Sequence, residues 1–491
     1  NLSRSNGKYN RVYLSYLVNG SDRDLISSQK TWNYLDDKDY QRNTNRNENR
    51  KSLSNGITFG LKQRIDSSSN LKLNGNVSFV NGSTSEDMIL ETLEDELQVS
   101  NLDSKVTERT DQLNASMGAN YIYKLIKDKT VVELDGQLNL SSSVSNDNFR
   151  NVFRLATPAS EFFSRQYRDF KTERQSYRLV IDLTQRLGEH LFMTPGIRIS
   201  HQQSQEDRGQ GLDENPAVPI DSLSTSISSY YLPVVAGLGF RYLSGKLKTG
   251  VSFDVETGNH EVKSLNEVVM NNSYQYFTPG FNFEYSFSKS KRLTFRYYSG
   301  INVPSVRQLN PAVNNLNPGF LIYGNRNLQP EYYHNARLNF FLFDHFSFTS
   351  VNAGINGGYT ADKINYSRNI DENYNQRLTL VNVEQDFRLN GRVSFTTPIR
   401  KLGMKVNLHF RESYNKGINI INNTENDLIV RGHTMSLSLE NRKKKIWDII
   451  SGMELNLSKS QYSIEENLNN TFTDVSWFGE INCEPGEKLN F

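Results

Sequence analysis

Apolar and polar residues alternate with a period of two along most of the chain, and that period confines it to β-strands with two different faces. Leu71, Leu73, Gly75, Val77 and Phe79 interleave with Lys72, Asn74, Asn76 and Ser78. Val132, Leu134, Gly136, Leu138 and Leu140 interleave with Glu133, Asp135, Gln137 and Asn139. The pattern returns at 191–199, 281–287, 404–410 and 453–457. Alternation alone also suits a two-sheet sandwich, so a second feature has to choose.

Connection lengths choose. Tight turns are predicted at 66–69, 127–129, 187–189, 244–246, 288–291, 344–345, 400–403, 441–445 and 485–487. Long polar stretches lie between them, at 20–51, 81–111, 145–173, 203–227, 257–273, 302–332, 361–376, 416–429 and 461–471. One end of the molecule therefore has short turns and the other long loops, the asymmetry of outer-membrane barrels. Sandwiches and solenoids give no reason for it. The expected fold is all-β: a large antiparallel up-and-down transmembrane β-barrel of about nineteen strands. It takes up residues 1–491 as one domain, since a closed sheet absorbs such a length. Residues 484–487 read as a turn and 488–491 as a strand just begun, and the chain starts at Asn1 without a charged and apolar leader. The sequence is therefore expected to be an internal piece, incomplete at its C-terminus.

Composition agrees. Only 36% of residues are hydrophobic, and no run approaches the ~18 apolar residues of a spanning helix. A barrel escapes that requirement, because every second residue faces lipid. Aromatics make up 11%, with Tyr230, Tyr231, Phe240 and Tyr242 placed where interfacial girdles would lie. Tyr297 with Tyr298, and Phe340 with Phe341, are similar pairs. A net charge of +2 gives no argument for nucleic acid. The single cysteine, Cys483, excludes an intrachain disulfide and reads as an ordinary strand residue.

No catalytic, cofactor-binding or metal constellation is legible, and the chain is not expected to be an enzyme. The seven histidines are scattered: His190, His201, His260, His334, His345, His409 and His433. Acidic runs at 85–96 and 206–214 match no calcium loop and read as solvated, with a helical turn expected near 87–97. Residues 160–174 read as a short amphipathic helix bearing Phe162, Phe163, Tyr167 and Phe170, packed on a neighbouring loop or folded as a lid. Basic runs at 127–129, 289–292, 400–401 and 442–445 mark a solvated rim or headgroup contacts.

One segment is more specific. Between 302 and 332 the chain carries Pro304, Gln308, Leu309, Pro311, Asn317, Pro318, Gly324, Asn325, Asn327, Leu328, Pro330 and Glu331 in a proline-, asparagine- and glycine-punctuated run. In this spacing the sequence resembles the TonB-dependent outer-membrane receptors, most closely their Bacteroidetes outer-membrane β-barrel branch. Arg326 stands where that family usually has proline and Gln329 where it usually has lysine. The strand-and-turn layout resembles the family over the whole chain, the motif over one loop.

The resemblance implies a bacterial outer-membrane location and a large barrel of the 22-stranded plugged type. It also implies a plug with a TonB box upstream of this segment; none is visible within it. The expected function is import of a scarce nutrient, such as a metal chelate, a glycan or a peptide, with ligand-binding residues not assignable. Expected partners are outer-membrane lipid, the plug, TonB and a surface lipoprotein, and no nucleic acid. Two other roles compete: a non-transport barrel that serves as a structural or assembly partner for surface proteins, and a passive porin.

Overall fold

The computed structural model describes all residues except 1, 7–9, 35–38, 157, 213–218, 222, 266, 318–319, 372–374, 442–446, 465–467 and 484–491. Among the described residues one sheet of 21 strands takes in nearly the whole chain. Its first half runs β1 (Leu2–Asn6), β2 (Asn10–Tyr34), β3 (Asp39–Arg64), β4 (Ser69–Glu94), β5 (Leu97–Ile126), β6 (Thr130–Ala156), β7 (Ala159–Arg186), β8 (Leu191–Leu212), β9 (Thr225–Leu243), β10 (Leu247–Ser264) and β11 (Glu267–Ser288). After β12 (Lys291–Asn302) comes a single helical turn, α1 (Val306–Leu309), then the short β13 (Asn314–Asn317) and β14 (Phe320–Tyr323). The wall resumes with β15 (Glu331–Asp344), β16 (Thr349–Ile370), β17 (Gln376–Ile399), β18 (Met404–Ile421), β19 (Thr424–Asn441), β20 (Trp447–Tyr462) and β21 (Asn470–Cys483). Each wall strand pairs antiparallel with the next, and β12 pairs directly with β15 across the intervening loop. β2–β12 and β15–β21 give eighteen wall strands, and β1 adds one on the edge of β2. The strand expected from 488 onward lies outside the described residues, as do the turns at 442–445 and 485–487.

The register puts the two periodic faces where the sequence predicts. Asn76, Ser116, Asn139, Ser176 and Gln202 fall opposite one another from β4 to β8, so one polar face runs continuously around the inner wall. The apolar partners face out: Phe79, Leu134, Phe253, Phe281 and Leu437 are all exposed. Exposed apolar side chains on this scale require lipid. No helix among the described residues is long and apolar enough to cross a membrane. Four ladder positions set a ring over a facing glycine, Tyr13 on Gly60, Phe59 on Gly75, Tyr333 on Gly300 and Phe478 on Gly452. In each the ring occupies the space a Cβ would take.

The tight turns at 66–69, 127–129, 187–189, 244–246, 288–291, 344–345 and 400–403 are present as such. Most of the long loops are not, the segment 302–332 excepted. The described residues of 20–51, 81–111 and 145–173 are almost all strand. β5 is 30 residues long, about three times the 9–11 residues that cross a bilayer. Beyond the lipid both faces meet water, so alternation disappears while the ladder of backbone hydrogen bonds continues. The helical turn expected at 87–97 is instead a hairpin whose two central residues, Asp95 and Glu96, have φ of 49° and 66°. That is the left-handed pair a two-residue turn needs. Asn422 and Asn423, with φ of 48° and 63°, repeat it between β18 and β19.

The amphipathic helix expected at 160–174 is part of β7. Ser160 pairs with Leu155 and Arg174 with Ser141 on one side, and β8 adds its own ladder from Gln166 onward. Pairing on both edges outweighs a chance helical spacing, and Phe162 and Phe163 stay exposed near the hairpin tip. The girdle assignment needs a correction as well. Adjacent strand residues point to opposite faces, so Tyr231 turns inward, 4% exposed, while Tyr230 faces out. Tyr298 likewise lines the lumen.

Candidate functional site: the inward loop and the lumen

Residues 303–330 interrupt the wall between β12 and β15, and the loop's own chemistry folds it inward. Ser305 and Gln308 form a reciprocal cap on α1: Gln308 N donates to Ser305 Oγ (3.4 Å), and Ser305 N donates to Gln308 Oε1 (2.9 Å). The cap sets Val306 and Leu309 on one side, where they are buried at 2% and 0% with Leu328 at 1%. These meet Ile227 of β9, Val262 of β10, Met270 of β11, Ile364 of β16 and Leu380 of β17 in one apolar cluster. A loop that touches β9 and β17 together has the sheet curled around it.

The motif residues supply the polar anchors. Gly324 N donates to Asn310 O (3.0 Å) and Asn325 N to Gln308 O (2.8 Å), closing the loop on itself. A Cβ at Gly324 would overlap the carbonyl oxygens of Asn310 and Gln308. Asn325 Nδ2 donates to Leu380 O on β17 (2.9 Å), and Asn327 N folds back to Asn325 Oδ1 (2.9 Å). Glu331, 7% exposed, accepts from Lys363 Nζ (2.7 Å), Ile364 N (2.9 Å) and Asn302 Nδ2 (3.3 Å). Burial works to raise its carboxyl, but these donors prevail and hold it below the usual carboxylate range. Pro304 and Pro330 are buried where the loop leaves and rejoins the wall; Pro311 is exposed. Asn317 contributes a backbone pairing with Phe320, and Pro318 lies outside the described residues. Gln329, at the family's lysine position, is held to Asn382 through its backbone N–H (2.8 Å). Arg326, at the proline position, donates to Ser264 Oγ (3.4 Å).

The loop crosses to other walls as well. Asn310 Nδ2 donates to Glu206 Oε1 on β8 (2.9 Å), and Gln210 Nε2 donates to Asn315 Oδ1 (2.6 Å). Arg42, near the start of β3, stacks on Phe320 with 4.4 Å to the ring centroid. Tyr40 is 1% exposed and accepts from Gln376 Nε2 on β17 (3.1 Å). The mouth is thus bridged by side chains from β3, β8, β14 and β17.

Beneath the loop the inner wall is zoned. A cavity of about 720 Å³ under 303–306 is lined by amides and hydroxyls, among them Asn114, Asn139, Gln175 and Ser204, with Arg174 its one charged side chain. Nearer the tight turns, a second cavity of about 910 Å³ is charged with both signs, through Glu133, Asp182, Asp254, Arg198 and Arg241. His260, which sequence reading left among scattered histidines, sits fully buried between β9 and β11. Its Nε2 is 2.8 Å from Ser229 Oγ, and burial pushes it down to about 4. Tyr231 of β9 packs edge-on against its ring, with centroids 5.7 Å apart. Among the described residues no three His, Cys, Asp or Glu side chains converge as a metal site.

The comparisons fit this architecture. The family model described as "Outer membrane protein beta-barrel family" matches residues 123–476. No curated protein matches by sequence. Among solved structures, the chain is similar to the ferric preacinetobactin receptor BauA from Acinetobacter baumannii, at 8% identity and a TM-score of 0.44, covering 98% of this chain and 80% of that one. It is similar to the Serratia marcescens hemophore receptor HasR at 10% identity and 0.46, covering 92% and 77%. It is similar also to the copper transporter OprC at 8% and 0.45, covering 91% and 74%. With a matching model over most of its length, a single antiparallel sheet and a lipid-compatible outer face, the chain belongs to the outer membrane protein β-barrel family and resides in the bacterial outer membrane.

Proposed function

We propose that this barrel takes up a scarce nutrient across the outer membrane in the manner of TonB-dependent receptors, working as a conduit and not as a catalyst. The observation that carries the reading is the inward loop. It is fastened to several walls at once and roofs a polar chamber, as capture followed by controlled passage needs. In the full protein an upstream plug would complete the chamber and TonB would supply the energy. A metal chelate, a glycan and a peptide are the candidate cargo classes.

The second reading, a barrel that docks surface proteins, is favoured by the wall strands themselves. β5, β6 and β7 run far beyond the bilayer and end near exposed Phe162 and Phe163. Growth tests on cells lacking the gene decide between them, with ferric chelates, oligosaccharides or short peptides as the limiting source. Import predicts a defect on at least one source, reproduced in wild-type cells by collapsing the proton-motive force. Normal growth on all of them, with the purified full-length protein electrically silent in planar bilayers, would favour the docking role. Large steady conductance would point to a porin.

A further inference from the structure

Above the amide-lined chamber three arginines converge, and one of them has donors without a partner among the described residues. Arg208 of β8 is 7% exposed, and its Nε and Nη2 are buried with no hydrogen-bond partner among the described residues. Phe170 of β7 lies directly opposite it in the ladder. The guanidinium groups of Arg168 and of Arg307 on α1 both rest against that same ring, at 5.6 and 5.5 Å from its centroid. Among the described residues the two carboxylates nearby have other donors. Asp147 accepts from Arg168 Nε (2.7 Å), and Glu206 accepts from Asn310 (2.9 Å). Burial, followed by the charge of Arg168, pushes Arg208 down to about 10; Glu206 opposes the shift and Arg307 adds to it. It stays charged at neutral pH. A buried cation without a counter-charge is costly, and buried charges are ordinarily paired.

We propose that Arg208, with Phe170 beside it and Arg307 above it, forms a binding site for an oxyanion: a carboxylate or phosphate group carried by a ligand entering from outside. Nε and Nη2 together make the side edge of the guanidinium, the fork that takes two oxygens of a carboxylate or phosphate at once. Among the described residues the cluster brings three cations against two carboxylates, so one further negative charge balances it. Both open nitrogens are covered by protein, so the anion enters as α1 lifts. It then joins the wall, through Arg208, to the loop, through Arg307. The site rests on these side chains and stands whether or not the barrel imports.

The test uses the full-length receptor in detergent micelles, with inorganic phosphate and citrate as probes against sodium chloride at equal ionic strength. Thermal unfolding is followed as a function of probe concentration. A saturable rise in Tm with phosphate, citrate or both is expected, absent with chloride. Phosphate alone identifies a phosphate site and citrate alone a carboxylate site. Arg307→Gln is expected to weaken the apparent affinity about tenfold, the loss of one charge-assisted hydrogen bond. Arg208→Gln is expected to abolish the response. Should that variant not fold, Arg307→Gln decides, since its side chain is exposed. The proposal is overturned if the response is the same in wild type and Arg307→Gln, or if no probe exceeds chloride.

Discussion

Glu331→Gln isolates what holds the loop in the mouth. The carboxylate collects Lys363, the Ile364 amide and Asn302, and glutamine keeps the shape while it removes the charge. A hydrogen bond to a charged group contributes about 1.5–3 kcal/mol. Lys363 is 30% exposed in its side chain and regains water when its partner is neutralised, so a loss of about 2 kcal/mol is expected. That shifts the docked–undocked equilibrium of the loop by a factor of roughly 5–30. Arg307 and Arg326 lie within the loop, so limited trypsin digestion of the folded full-length protein reads the undocked population directly. Cleavage at these two sites is expected to accelerate by that factor while the wall strands stay intact. The pH dependence follows with its sign. The folded carboxyl titrates below its unfolded value near 4.3, so its stabilisation is present above that value and disappears as pH falls through the folded one. Wild-type cleavage should therefore approach the variant's rate only under strongly acid conditions. Equal rates for the two proteins at neutral pH would refute the reasoning.

Three other outcomes are expected. Gly324→Ala places a methyl group against two backbone carbonyl oxygens and should release the loop further than Glu331→Gln in the same digestion. His260, buried and neutral, takes up a proton only when its surroundings open, so stability present above about pH 6.5 should decline toward about 4. Melting temperatures at pH 7.5 and 5.0 should show this decline in wild type and a smaller one in His260→Gln. On the lipid face, Leu134→Arg or Leu408→Arg should cost ~2–4 kcal/mol in a urea titration from lipid, and Asn139→Ser or Asn407→Ser well under half of that. Equal tolerance on the two faces would count against a membrane barrel.

The wall was legible in the sequence because lipid imposes a strict rule on it: Leu134 and Glu133 must face opposite ways, and the period shows. Outside the bilayer the rule lapses. Stretches such as 20–34 and 39–51 keep their ladder but lose alternation, so polarity that signals water reads as irregular backbone. The hairpin at Asp95–Glu96 escaped because nothing but a pair of positive φ values distinguishes it from a helical turn. Residues 160–174 showed a helical spacing of aromatics that two flanking ladders override. The motif at 304–331 stood out by its prolines, asparagines and glycine. Its inward direction did not, because Leu309 and Leu328 find their apolar partners on β9, β11 and β17, far off in sequence. The converging arginines were missed for the same reason: Arg168, Arg208 and Arg307 come together only once the loop is in place.

The most direct test of the central claim is a spin-label accessibility scan along β6 in lipid, in a Cys483→Ser background that removes the chain's single cysteine. Labels at Leu134, Leu138 and Leu140 should collide preferentially with oxygen dissolved in the bilayer, and labels at Glu133, Asp135 and Gln137 with a water-soluble nickel chelate. A period of two, apolar-out and polar-in, is the predicted result. Uniform access to the nickel chelate at all six positions would contradict the account, since it would place this strand in water on both faces.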